Sequence, residues 1–343
     1  MDKQEISEIL TRKLGKKVVV RDVTLVGSGY HSDGYKITTD SEAVYFIKKI
    51  KSHDIGFEFP ERKIMSLLVS HSMAKKHNIH PNSIGVVIKN DKMEFLPEIS
   101  EDTEIYQFQE YGGVGKSYLE MLNDKANKTD LDQKDKEEID KILDFIVPIH
   151  QTRHPSNDLK RLTALYNDWL RSVIGHPEYL LQLLQSIPDD SLLLKPSKQG
   201  EFVALMIENM HYFKNNPDRL VALHGDFWGS NVFFRKDGSI YVVDYSRMPY
   251  GDAGFDIGIW MSTYLFKYHS GNKEYFKKIG NYFLDSYIAR TGDNEIIHTM
   301  VYSIGLVSVM YASTVWIPGI DSKIREAFFY HAREMLNVKK FFW

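Results

Sequence analysis

The sequence predicts an α+β chain of two lobes, a small antiparallel sheet over residues 1–98 and a larger, mainly helical lobe over 99–343. Three observations support this division. At 343 residues the chain exceeds one ordinary domain. Short extended runs rich in β-branched residues crowd its N-terminal part. Beyond about residue 99, apolar side chains recur at helical spacing and extended runs become scarce.

Ile6, Ile9, Leu10 and Leu14 mark a helix over 4–14, followed by extended segments at Val18-Val19-Val20 and Val23 to Val26. Gly27 to Gly34 is a turn-rich loop, and Tyr35-Lys36-Ile37 and Ala43 to Ile47 are the returning strands. Pro60 suits a first helical position, and Ile64, Leu67 and Leu68 set a helical period over 61–71. Gly85-Val86-Val87-Ile88 and Met93-Glu94-Phe95-Leu96 form two strands joined at Asn90-Asp91. Residues 122–139 are polar enough for a solvated helical insert, after which Ile142, Phe145, Ile146 and Ile149 restore an apolar stripe. Helical patterns follow at 159–186 and 200–215. Leu220 to Leu223 is an apolar run, Val232-Phe233-Phe234 and Ile240 to Val243 form a hairpin across Asp237-Gly238, and 254–340 is helical again. No charge occurs from Met300 to Ile317, but Ser303, Gly305, Ser308, Ser313 and Thr314 interrupt the stretch and make it a buried helix rather than a membrane span.

Composition excludes several classes of function. A net charge of -3 leaves no basic footprint for a phosphate backbone, so nucleic acid is not an expected partner. The absence of cysteine removes disulfides, zinc-thiolate sites and thiol nucleophiles. Histidines such as His31, His53 and His77 lack ligand spacing. The polar start Met1-Asp2-Lys3-Gln4-Glu5 lacks the apolar core of a signal peptide, so a cytoplasmic location and no membrane partner are expected.

The chemistry concentrates in His224-Gly225-Asp226-Phe227-Trp228-Gly229-Ser230-Asn231. Asp226 and Asn231 lie five residues apart between an apolar run and a strand, among glycines that let the backbone turn tightly, and the hairpin brings Asp244 back toward them. Two carboxylates and an amide oxygen are hard ligands suited to Mg²⁺ carrying substrate phosphates. A phosphoryl-transfer site is the economical interpretation.

The pattern His-Gly-Asp-x-x-x-x-Asn, then Val243-Asp244-Tyr245, then Gly251-Asp252-Ala253-Gly254-Phe255-Asp256-Ile257-Gly258, resembles the aminoglycoside phosphotransferase family and its choline-kinase-like and spore-coat-kinase-like relatives. The resemblance implies a protein-kinase-like fold with ATP and Mg²⁺ as cofactors. It also implies that Asp226 is the catalytic base or orienting carboxylate, that Asn231 and Asp244 bind the metal, and that Asp256 anchors the loop; His224 is a structural support of that loop. The lobe at 1–98 then binds nucleotide, and 99–343 carries catalysis and the acceptor. Lys48 on the third strand would contact phosphate, with Lys49 the alternative, and its ion-pair partner would be Glu61 or, second, Glu58. Gly27, Ser28, Gly29 and Gly34 fit a loop covering the triphosphate, and Met93 to Glu98 resembles the linker that meets adenine.

Gly112-Gly113-Val114-Gly115-Lys116-Ser117 ends like a phosphate-binding loop, but Glu110 stands where that motif needs glycine, and a flexible surface connection is expected instead. Only seven residues, Tyr245 to Gly251, separate Asp244 from Asp252, too few for the long segment that receives protein substrates in protein kinases. The expected acceptor is a hydroxyl of a small molecule, with Trp228, Tyr245 and Asp252 as possible contacts; the acidic 97–104 stretch and Arg247 are further candidates. A kinase-fold scaffold that holds nucleotide without transferring phosphate is the competing expectation, motivated by the weak glycine loop.

Overall fold

The computed structural model describes residues 2–28, 32–51, 64, 67–68, 71, 83–89, 104–171, 180–181, 184–187, 196–213, 216–245, 250–314 and 317–343. These fall into two compact units, one of Met1–Val114 with Tyr241–Ser246, the other of Gly115–Ile240 with Arg247–Trp343. The expected strand at Met93 to Leu96, its turn at Asn90-Asp91, the adenine linker, Gly29, Glu58, Glu61 and Arg247 lie outside the described residues.

The first unit opens with helix α1, Lys3–Leu14. The Asp2 side chain caps it by accepting from the Gln4 and Glu5 N–H groups, and Gly15 ends it in the left-handed conformation at φ 66. Ile6 and Leu10 project from one face into the core. They meet a five-stranded sheet of β1 (Val20–Ser28), β2 (Ser32–Thr39), β3 (Val44–Ile50), β4 (Ser83–Lys89) and β5 (Glu104–Glu110), ordered β1-β2-β3-β5-β4. All four pairings are antiparallel. Ile37, Ile47, Tyr106 and Phe108 complete the cluster around Ile6 and Leu10. Ile64, Leu67 and Ile105 form a second, smaller one.

Two expectations for this unit need correction. The loop assigned to 27–34 is mostly strand, because Gly27 registers opposite Gly34 and Ser28 opposite Asp33. Glycine at 34 serves packing: a Cβ there would stand 2.6 Å from the Phe46 ring. Strand β5 was not expected at all. Ile105, Tyr106, Gln107 and Phe108 are all buried, so neither face alternates with solvent and the usual period of two is absent.

In the second unit, β6 (Gly115–Ser117) pairs with β8 (Val232–Arg235), correcting the flexible connection expected there. Ser117 also begins α2, Tyr118–Asp124, in a capping box with Glu120. Helix α3, Gln133–His150, starts at Asp132. The stretch at 122–139 is not simply solvated: Asp135 and Glu138 are buried, and Asp135 pairs with Lys125 at 2.9 Å and with Lys128 at 2.6 Å. Helices α4 (Leu159–Arg171) and α5 (Pro196–Phe213) precede β7, Leu220–Ala222, which pairs with β10, Tyr250–Asp252. Between them the chain turns at Gly238, φ 79, into β9, Ile240–Val242.

Four helices close the chain: α6 (Ala253–Ser270), α7 (Lys273–Thr291), α8 (Ile296–Ala312) and α9 (Ser322–Val338). Helix α8 is buried nearly throughout, as its uncharged sequence predicts. Its approach to α6 depends on Gly258, where a Cβ would lie 2.4 Å from the Met300 carbonyl oxygen. Among the described residues no helix is long and apolar enough to cross a membrane.

His269 on α6 and His331 on α9 meet ring to ring, Nε2 to Nδ1, at 3.0 Å. Burial, with His331 beside it, pushes the His269 imidazole down to about 4. The unfolded chain therefore binds this proton more readily than the folded one. Stability should be full above about pH 6.5 and decline as pH falls from there toward 4. Urea unfolding across that window checks this, with His269→Gln expected to flatten the slope.

Candidate active site

Strand β7 is fully enclosed, and Leu223 after it is also buried. The chain leaves it through Gly225 at φ 83, a conformation that places a Cβ against the backbone and selects glycine. A buried carboxylate fixes this turn. Asp256, on the first turn of α6 and inaccessible to solvent, accepts from the His224 N–H at 2.7 Å and the Gly225 N–H at 2.9 Å.

Its Oδ2 also meets His150 Nε2 at 3.1 Å, and His150 Nδ1 meets the Tyr287 hydroxyl at 2.8 Å. Burial, with acidic neighbours, raises the Tyr287 phenol well above its ordinary value, so its O–H is retained. The Asp256 carboxylate offers only acceptors, so His150 donates to it through Nε2–H. The sequence offered a signal for His150, since it continues the apolar stripe of α3 one turn beyond Ile146, where an imidazole needs partners.

His224 is buried and its Nδ1 accepts from the Asp226 N–H at 3.2 Å. Phe227 drives the segment onto an aromatic stack: its ring lies 4.7 Å from Trp260, and Trp260 lies 5.2 Å from Tyr118 and 5.5 Å from Phe283. With Phe227 pinned below, Asp226 is held by side chains on each of its oxygens. Trp228 Nε1–H donates to Oδ1 at 3.0 Å and Asn231 Nδ2 to Oδ2 at 3.2 Å. Asn231 Nδ2 also donates to the Asp226 carbonyl at 2.8 Å, which leaves the amide Oδ1 as the oxygen it can offer elsewhere. The Trp228 ring approaches Tyr311 at 6.4 Å.

Asp252, expected among the acceptor contacts, belongs to the interior. Its Oδ1 accepts from the Gly254 N–H at 2.8 Å and from Arg219 Nη2 at 3.1 Å, and its Oδ2 from Arg219 Nε at 2.6 Å and the Tyr166 hydroxyl at 3.0 Å. Arg219 extends the pair to Asp293 at 2.9 Å. The carboxylate is inaccessible and its charge is compensated, so it serves the start of α6 and not a ligand.

The first unit holds the remaining candidates. Asp244 adopts φ 67, a conformation that Asp tolerates better than most residues. Its Oδ1 accepts from Lys48 Nζ at 2.7 Å, with both side chains partly shielded. Lys48 stands opposite Gly34 and Gln107 on neighbouring strands. Lys49 points to the other face, its ammonium 5.6 Å from the centre of the Tyr106 ring. Ser28 Oγ donates to Asp33 at 2.6 Å and accepts from Lys51 at 3.0 Å, an arrangement that closes the hairpin end. Tyr245 is buried beside Asp244 in sequence.

Solved structures share this architecture across nearly the whole chain. Amicoumacin kinase in complex with AMP-PNP and Ca²⁺ matches at a TM-score of 0.57 and 13% identity, covering 99% of this chain and 94% of that one. An ethanolamine kinase from Plasmodium vivax matches at 0.56 and 15% identity, covering 93% and 84%. A choline kinase from Streptococcus pneumoniae matches at 0.52 and 11% identity, covering 98% of each chain. The fold is therefore the kinase-like fold of small-molecule kinases. Residues 105–274 match the model of the phosphotransferase enzyme family (APH). No curated protein matches the sequence.

Replacing Asp256 with Ala removes the acceptor from two buried N–H groups and from His150. A loss of about 3–5 kcal/mol in unfolding free energy is expected by denaturant titration. Tyr287→Phe, which removes only the outermost hydrogen bond, should cost about 1 kcal/mol.

Proposed function

We propose that the protein transfers the γ-phosphoryl group of ATP to a hydroxyl of a small molecule, with Asp226 as the catalytic carboxylate. The observation that carries this is the double restraint on Asp226 by Trp228 and Asn231, on a turn that Asp256 holds from below. A carboxylate so fixed can orient an acceptor O–H and take its proton as the new O–P bond forms. The bond from the γ-phosphorus to the β,γ-bridging oxygen breaks in the same displacement, and ADP leaves with that electron pair.

Residues 1–98 are the proposed nucleotide lobe and 99–343 the proposed catalytic and acceptor lobe. Lys48 would exchange its ion pair with Asp244 for the nucleotide phosphates, with Glu61 the proposed partner that positions it and with Gly27, Ser28, Gly29 and Gly34 along the covering hairpin. The donor chemistry suits Mg²⁺: Asn231 has committed its amide nitrogen and retains a neutral oxygen, and Asp244 supplies a carboxylate. When bound, the metal would neutralise charge on the phosphates. Trp228 is the proposed acceptor wall, Tyr245 a further possible contact.

The short span between Asp244 and Asp252 supports a small acceptor over a protein one. The relatives described above are kinases of amicoumacin, ethanolamine and choline, which also supports a small acceptor. A cytoplasmic location, where ATP and Mg²⁺ are supplied, fits this function.

Incubation with ATP, Mg²⁺ and pools of hydroxylated metabolites, followed by mass spectrometry for phosphate gain, should yield a product. Asp226→Asn should lower kcat by roughly 10²–10⁴-fold. A product rate unaffected by that change would refute the assignment, and tight nucleotide binding without any transfer would favour the scaffold alternative. Lys48→Ala should reduce kcat/KM for ATP on the order of a hundredfold, read from steady-state kinetics.

A further inference from the structure

The five-stranded sheet of the first unit carries two separate hydrophobic clusters, one under α1 and one around Ile64 and Leu67. Residues of both border a cavity of about 480 Å³. Its walls are almost wholly aliphatic: Ile9 from α1, Leu68, and Ile84, Val86 and Val87 from β4, with Phe108 of β5. Such a volume and lining fall within the range of small-molecule sites.

Among the described residues the polar members of the lining are Arg12, Lys13 and His71, with no carboxylate. Several other cations of this unit carry a carboxylate partner: Lys3 with Asp22, Arg21 with Asp40, Lys48 with Asp244 and Lys51 with Asp33. Arg12 and Lys13 have no such partner among the described residues. Their place in the last turn of α1 adds the negative end of the helix dipole, which favours their charge without consuming their hydrogen-bonding capacity. The end of the exposed Lys13 side chain lies beside Gly85 of the lining, since a Cβ built on Gly85 would stand 3.6 Å from its Cε and 3.8 Å from its Nζ.

We propose that the cavity binds a free single-chain acyl carboxylate, its alkyl chain among the aliphatic walls and its carboxylate at Arg12 and Lys13. The aliphatic walls offer the chain no hydrogen-bonding group, so the part of the ligand they cover must be apolar. The two cations, adjacent in the last turn of α1, supply the complementary charge for an anionic head and disfavour a cationic one. This site lies within the first unit and does not depend on the proposed reaction.

Isothermal titration of the full chain with dodecanoate, below its micellar concentration, tests the assignment. Saturable one-to-one binding is expected, with none for acetate, which lacks the chain, or for dodecyltrimethylammonium, which reverses the head charge. Arg12→Glu combined with Lys13→Glu should weaken dodecanoate roughly tenfold, since each exposed ion pair contributes modestly. Leu68→Trp, at a position half exposed and tolerant of bulk, should weaken it at least as much by filling the cavity. Unchanged far-ultraviolet circular dichroism would certify that both variants fold. Equal binding of the cationic amphiphile, undiminished binding by the charge-reversed variant, or association with anionic phospholipid vesicles but not with dodecanoate would each overturn the proposal.

Discussion

The turn from His224 to Asp226 depends on one buried carboxylate. Asp256 is enclosed by protein, where an ion without partners is costly, and its oxygens are matched by two backbone N–H groups and an imidazole. Those donors come from different places: the turn after β7, and α3 through His150, itself backed by Tyr287 of α7. The carboxylate thus ties three helices to a backbone conformation that Gly225 permits but does not by itself favour. A change in the orientation of α6 would be felt directly at Asp226, two residues beyond His224.

Apolar packing supplies the complementary constraint. Phe227, between Asp226 and Trp228, is buried on Trp260, and the stack continues into Tyr118 and Phe283. Alternate residues of the segment therefore do opposite things. Phe227 is anchored in the core, while Asp226, Trp228 and Asn231 hydrogen-bond one another on the other side. Position is fixed by burial and orientation by hydrogen bonds, so the carboxylate is prepared before any ligand arrives.

Much of this was legible in the sequence because it rests on local chemistry. The spacing of Asp226, Asn231 and Asp244 survives any detail of packing, and helix α8 announces itself by its uncharged run. What was not legible depends on partners distant along the chain. Asp252 resembles a cleft carboxylate until Arg219 and Tyr166 are seen beside it. Strand β5 escapes notice because it is enclosed on both faces and flanked by acidic residues. Gly34 belongs to a glycine-rich stretch in sequence, yet its small size answers to the Phe46 ring. His150 could have been found from the stripe of α3, but its partner Asp256 lies more than a hundred positions away.

The ion pair between Lys48 and Asp244 gives the proposed nucleotide site a particular resting state. Each group neutralises the other, so neither charge stands exposed to attract a stray anion or cation. In the proposed reaction a phosphate that recruits Lys48 would draw it away from Asp244, and a cation that recruits Asp244 would compete with Lys48 for it. Each ligand would therefore lower the cost of admitting the other. In the proposed function, nucleotide and metal would be thermodynamically linked through this pair, the complex of the two being preferred over either one alone.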